Sequence, residues 1–125
     1  MDSPTIKKIT DDNTILTVIE KVPFEIKRVY SMIGMKPDDT RGQHAHYKTR
    51  QYVVCLKGNC ILQYSTRKKT GKIKSLAQEG FLLEPYYWHS LYNFTKDCVL
   101  LVLASEEYDE NDYIRDYEQF KRTIY

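Results

Sequence analysis

The sequence predicts an all-β fold, an antiparallel sandwich or barrel closed by one C-terminal α-helix, and three observations carry that expectation. Short segments rich in Val, Ile, Tyr and Leu recur with turn residues between them. The run Cys98–Ala104 is apolar at every position, as in a strand covered on both faces. After Ser105 the apolar residues Tyr113, Tyr117, Phe120 and Ile124 recur at spacings of four, three and four, which is helical rather than extended periodicity.

Taken in order, strands are expected at Thr14–Glu20, Phe24–Met32, His44–Thr49, Gln51–Leu56, Cys60–Thr66, Lys72–Leu76, Gly80–Glu84, Tyr87–Leu91 and Cys98–Ser105. Pro37-Asp38-Asp39 marks a loop before the histidine strand. Gly58-Asn59 lies between two apolar runs and reads as a tight hairpin, because both residue types tolerate positive φ. A second hairpin is placed at Lys69-Thr70-Gly71. The outer cover of the Cys98–Ala104 strand is open at this point, a partner subunit being one candidate. Asp109 or Asn111 caps the closing helix, about 109–123.

At 125 residues the chain fits one domain, 1–125, large enough to bury a core without disulfides. A net charge of +2, from 19 basic and 17 acidic side chains, argues against a nucleic-acid partner. Arg67-Lys68-Lys69 with Lys72 and Lys74 reads as a solvated hairpin tip. Cys55, Cys60 and Cys98 form no CxxC pair, and two of them sit in apolar runs, so they read as reduced thiols of a cytoplasmic protein. Charges at Asp2, Lys7 and Lys8 break any secretory h-region, and the longest apolar run is too short to cross a membrane. The 11 tyrosines suit a polar-lined cavity or a subunit interface.

Chemistry concentrates at Arg41-Gly42-Gln43-His44-Ala45-His46. Residues i and i+2 of a strand share a face, so His44 and His46 look into one space. Imidazoles there can carry protons at neutral pH or hold a metal ion. The same parity sets Arg28 beside Tyr30 and turns Lys27 away.

His44-x-His46, four residues, Gln51, six residues and Gly58 resemble the first signature of the cupin barrel with glutamine in place of glutamate. Gly80, Pro85, His89 and Asn93 resemble the second, one residue short and with Tyr87 where glycine is usual. Loss of the anionic ligand leaves three imidazoles and a weak carboxamide donor, so no metal is expected.

The resemblance extends further. Ile26-Lys27-Arg28-Val29-Tyr30, Arg41-Gly42-x-His44-Ala45-His46, Gln51, Val54-Cys55-Leu56-x-Gly58-x-Cys60, Trp88-His89, Asp97-Cys98-Val99, Leu103-Ala104-Ser105 and Tyr108-Asp109-Glu110-x-Asp112-Tyr113-Ile114-Arg115 are similar to the sugar-nucleotide 3,4-ketoisomerases. That resemblance implies a cupin jelly-roll homodimer acting on dTDP-4-keto-6-deoxy-D-glucose without metal or cofactor. It implies that His44, His46 and Tyr30 move protons between C3 and C4 of the hexose, and that an aminotransferase acts on the product.

For binding, Arg28 and Arg41 are the expected anion contacts, while Gln51 and His89 line the site and Trp88, Tyr86 or Tyr87 stacks on thymine. A ketone at C4 acidifies the C3 hydrogen, and an enediol carries the exchange with no electron acceptor, which agrees with the missing GxGxxG fingerprint. Tyr47 and Asp12-Asn13-Thr14 depart from the family pattern and leave both the galacto- and gluco-type products open. The rival readings are a non-catalytic sugar-nucleotide-binding module and a metal-dependent cupin enzyme.

Overall fold

The computed structural model describes residues 4–73 and 79–124. Strands run β1 (Thr5–Asp11), β2 (Thr14–Glu20), β3 (Arg28–Met32), β4 (Thr40–His46), β5 (Gln51–Lys57), β6 (Ile61–Ser65), β7 (Thr70–Ile73), β8 (Gly80–Leu83), β9 (Trp88–Tyr92), β10 (Val99–Ala104) and β11 (Tyr113–Ile114), followed by α1 (Tyr117–Ile124). Two antiparallel sheets form, one in the order β3-β10-β5-β8 and the other β11-β4-β9-β6-β7, while β1 and β2 pair as a separate ribbon. The expected all-β cupin-like jelly roll with one C-terminal helix stands.

Alternation along the strands explains the layers. On β5, Val53 and Cys55 face Leu62, Leu91, Leu100 and Val102 in the space between the sheets. Tyr52 and Val54 point the other way, joined by Leu103 and Leu101 from β10 and covered by Ile6, Ile19, Val22 and Phe24. Within this chain the β1-β2 ribbon covers the outer face of the apolar β10 run and leaves Leu101 half-buried.

The β1 strand was absent from the sequence expectation, because its seven residues TIKKITD carry only two isoleucines and are mostly exposed. A full register with β2, from Thr5↔Glu20 to Asp11↔Thr14, holds it in place of burial.

Three expectations are corrected. Gly58-Asn59 does not close a hairpin: β5 and β6 belong to different sheets, and the turn carries the chain across the sandwich. Gly58 has φ +70°, and a Cβ there would lie 2.8 Å from the Cys98 Cα and closer still to Thr95 and Asp97. The β6–β7 turn lies earlier than Lys69-Thr70-Gly71, since Thr66 N–H donates to the Lys69 carbonyl over 2.7 Å while Thr70 and Gly71 pair with Ser65 and Tyr64. Of the expected strand Lys72–Leu76, residues 74–76 lie outside the described residues.

The third correction is the C-terminal segment. Asp109 caps only a 3₁₀ turn, accepting from the Asn111 N–H over 3.0 Å. Tyr113 and Ile114 then extend along β4, and the helix begins at Tyr117 behind Asp116, whose carboxylate accepts from the Glu118 N–H over 3.1 Å. Phe120 packs from that helix onto Ala45 and Ile114.

Candidate active site

A bulge at Gly42-Gln43 sets the histidines. Gly42 lies opposite Ser90, but His44 already lies opposite His89, and both Gly42 (φ 82°) and Gln43 (φ 58°) adopt left-handed backbone. A side chain at Gly42 would press on the His89 carbonyl and ring, at 3.0 and 3.2 Å. The ring of His44 consequently sits between two others, 5.0 Å from His46 and 4.6 Å from His89 by centroid.

Each of the three rings is fixed through Nδ1. His44 Nδ1–H donates to the Gly42 carbonyl over 3.0 Å, and His89 Nδ1–H donates to the Tyr87 carbonyl over 3.3 Å. His46 Nδ1–H donates to the Asp112 carboxylate over 3.2 Å. Carbonyls and carboxylates only accept, so Nε2 is the bare nitrogen of each ring. The Nε2 atoms of His44 and His46 are buried and lack hydrogen-bond partners among the described residues, as does Arg28 Nε.

Burial lowers the pKa of all three rings. His46 falls to about 4, first through desolvation and then through its neighbour His44, with Asp112 pulling the other way. His89 falls to about 3 through desolvation and the same neighbour. His44 is lowered chiefly by desolvation, against its bond to the Gly42 carbonyl. At neutral pH the site therefore presents uncharged imidazoles.

Across the cavity, register places Arg28 and Gln51 either side of Ala104, and Tyr30 and Val53 either side of Val102. Gln51 Nε2–H donates to the Tyr30 hydroxyl over 3.2 Å. Burial, with Tyr113 nearby, raises the Tyr30 pKa, so the phenol stays protonated. Arg28 holds its guanidinium 5.4 Å from the centre of the Tyr30 ring and 5.8 Å from that of Tyr108. The resulting cavity has a volume of about 490 Å³ and is walled by Arg28, Tyr30, Met32, Gly42, His44, Tyr108, Tyr113 and Arg115.

Of the sequence-predicted site residues, Arg28, Tyr30 and His44 line this cavity, with Gln51, His46 and His89 packed behind or beside them. Arg41 and Trp88 are not brought to it. Arg41 is exposed, its guanidinium 3.9 Å from Asp39. Trp88 leans the other way from its strand, against Tyr117 and Phe120 at 5.2 and 5.7 Å. Tyr87 stacks parallel to Tyr64 against the core.

Sequence reasoning missed the 108–115 segment as a wall of the site. Tyr113 was assigned to helix packing, yet its ring is 4.3 Å from His46 and 4.9 Å from His44. The Arg115 guanidinium lies 4.2 Å from the centre of that ring and is clamped by Glu110 at 2.6 and 2.9 Å. The available signal was Asp112-Tyr113 within the family-like motif. Among the described residues no group of three or more His, Cys, Asp or Glu side chains is arranged to hold a metal ion.

The family model FdtA, described as WxcM-like, C-terminal, matches residues 2–125. A curated relative, TDP-4-oxo-6-deoxy-alpha-D-glucose-3,4-oxoisomerase of Aneurinibacillus thermoaerophilus, is 44% identical over 123 residues, covering 94% of this chain and 88% of the relative. The chain belongs to the sugar 3,4-ketoisomerase family. Among solved ketoisomerases, QdtA of Thermoanaerobacterium thermosaccharolyticum in complex with TDP superimposes with a TM-score of 0.88 at 39% identity, covering 97% of this chain and 91% of that one. WlaRA of Campylobacter jejuni, a TDP-fucose-3,4-ketoisomerase, gives 0.84 at 36% identity, covering 99% and 97%. As a ketoisomerase of this family the chain is an enzyme.

Proposed function

We propose that this ketoisomerase converts TDP-4-keto-6-deoxy-D-glucose into the 3-keto isomer by proton transfer through an enediol. The observation that carries the reading is the pair of buried, unpartnered Nε2 atoms on His44 and His46, set beside a cavity that also holds a protonated phenol. Buried polar atoms in proteins are ordinarily satisfied, and substrate supplies the missing partners.

His44 Nε2 removes the C3 hydrogen as a proton, and the electrons of that bond form a C3=C4 double bond while the C4 carbonyl oxygen gains a proton. The Tyr30 hydroxyl, whose oxygen already accepts from Gln51, is the donor to that oxygen. A proton delivered to C4 and loss of the C3 hydroxyl proton leave the ketone at C3, so atoms and electrons balance without an oxidant. His46 shares the proton traffic. Arg28 meets the diphosphate or sugar oxygens with its free Nε, and His89 backs His44.

Exposed Ile15 and Leu16 on the β1-β2 ribbon, Val29 on β3 and Ile33 just past the end of β3 support a homodimer, with a groove of about 430 Å³ beside Ile15, Ile19, Leu56 and Leu101. A 3-keto product is the substrate class of an aminotransferase, which would follow in the same cytoplasm. Among the described residues no helix is long and apolar enough to cross a membrane.

The test is NMR-followed conversion of the 4-keto nucleotide sugar in D₂O. Deuterium is expected at C4 of the 3-keto product and, through the reverse reaction, at C3 of the remaining 4-keto substrate, with both lost in His44→Asn. Binding of the nucleotide without exchange would establish a non-catalytic module instead, and activity abolished by chelator would establish a metal-dependent enzyme.

A further inference from the structure

Taking the isomerase reading as given, we infer that Asp112 is a positioning residue for the reaction: it holds His46 with its proton on Nδ1 and offsets the charge that this ring carries while it is protonated. The carboxylate is buried, at 5% exposure, and belongs to the 3₁₀ turn that precedes β11. Four donors converge on it. The Lys48 N–H reaches Oδ1 over 2.8 Å. Oδ2 receives the Thr49 N–H over 3.1 Å, the Thr49 hydroxyl, and His46 Nδ1–H over 3.2 Å. Two adjacent backbone N–H groups, Lys48 and Thr49, thus anchor the carboxylate from the end of the strand that carries His46.

His44, which lines the cavity, and His46 beside it are supported unequally. His44 donates to a neutral peptide carbonyl, whereas His46 donates to an anion. A neutral carbonyl orients a ring; a carboxylate also stabilises the imidazolium that forms when the ring accepts a proton. Burial raises the Asp112 carboxyl, but the hydrogen bonds from Thr49 and Lys48 and the attraction of a protonated His46 outweigh it and hold the group below its usual range. It is therefore an anion at neutral pH. Asp112 is not among the residues that wall the cavity and acts through His46.

Two variants separate orientation from charge. In Asp112→Asn the amide oxygen takes the Oδ2 place, where three donors converge, so the ring keeps its proton on Nδ1 while the negative charge is gone. In Asp112→Ala both are gone, and the ring is free to carry its proton on Nε2, where it blocks the nitrogen that faces substrate. Long-range ¹H–¹⁵N NMR of the histidine rings in the free protein at neutral pH reports the tautomer without any substrate.

Wild type is expected to show His46 with Nδ1–H and a bare Nε2, unchanged in Asp112→Asn and moved to Nε2–H in Asp112→Ala. Turnover is expected to fall about tenfold in Asp112→Asn and about 10²–10⁴-fold in Asp112→Ala, with KM and TDP affinity held within about threefold. A wild-type His46 protonated on Nε2 overturns the assignment even if Asp112→Ala does not fold. So does an Asp112→Asn enzyme with wild-type kcat, or one whose losses appear in KM and melting temperature alone. A wild type that shows the expected tautomer but converts no keto sugar sinks the isomerase reading and leaves the histidine geometry standing.

Discussion

Gln51 donates its amide hydrogen to the Tyr30 hydroxyl over 3.2 Å, which occupies the phenol oxygen as an acceptor and leaves its own hydrogen free to point elsewhere. The cupin signature has a glutamate at this place; here the neutral side chain is an orienting donor. Gln51→Glu reverses the bond, because a carboxylate accepts the phenol hydrogen that the developing enol oxygen needs. The expected outcome is a fall in kcat of about 10–100-fold with KM nearly unchanged, read from steady-state kinetics. A variant at wild-type kcat would remove Tyr30 from the proton path.

The same phenol gives a second expectation. Tyr30→Phe keeps the ring beneath the Arg28 guanidinium but deletes the donor. Loss of one preorganised donor to a developing oxyanion lowers kcat by about 10²–10³-fold. TDP affinity, measured by calorimetry, is expected to hold because the diphosphate contact assigned to Arg28 is untouched. A parallel loss of binding would mean that Tyr30 serves the ligand and not the chemistry.

Trp88 tests a different boundary. Its indole packs on Tyr117 and Phe120 of α1, away from the cavity walled by His44 and Tyr30. Trp88→Ala is expected to lower stability by about 2–4 kcal/mol, somewhat less than the roughly 3–5 kcal/mol of a fully buried aromatic because Trp88 is half-buried, with TDP affinity changed by less than about threefold. Denaturant unfolding and calorimetry read the two quantities. Lost TDP affinity at intact stability would restore the thymine-stacking role.

What could be read from the sequence was whatever depended on residue parity. His44 and His46 share a face, Arg28 and Tyr30 share a face, and both pairs meet across one cavity because alternation is a local rule. Long-range choices were hidden. Positive φ at Gly58 is required whether the next strand rejoins the same sheet or crosses to the other, so the turn residues alone suggested a hairpin. The spacing Tyr113, Tyr117, Phe120 mimics a helix, yet Tyr113 belongs to a strand that the His46 pairing holds extended. The Asp112–His46 bond joins positions 66 residues apart, which no local pattern reveals.

Gly58 offers a test of the crossover itself. Alanine there must hold φ +70° and place its Cβ within 2.8 Å of the Cys98 backbone. Left-handed backbone costs about 1–2 kcal/mol for a residue with a Cβ, and overpacking adds about 1–3 kcal/mol. Gly58→Ala is therefore expected to lose about 2–5 kcal/mol by denaturant unfolding. The histidine cluster is built by other strands, so kcat per folded molecule should not change. Unchanged stability would mean that the turn relaxes freely and does not fix the crossing.

The buried histidines set the pH behaviour. His46 and His89 have folded-state values of about 4 and about 3, below the ordinary value of about 6.5 that the unfolded chain shows. The unfolded state therefore binds more protons once the pH drops below about 6.5, and stability falls on acidification. Each ring contributes a slope of up to about 1.4 kcal/mol per pH unit between about pH 6 and pH 4, while above about pH 7 the contribution is flat. Activity follows the same sign: neutral imidazoles are the working form, so kcat/KM is expected to stay level through neutral pH and to decline only on the acid side, below the ordinary histidine range. Chemical unfolding at stepped pH and an initial-rate profile read these separately. A kcat/KM limb with its midpoint at or above about 6.5 would show that the catalytic ring is solvated and not held neutral by burial.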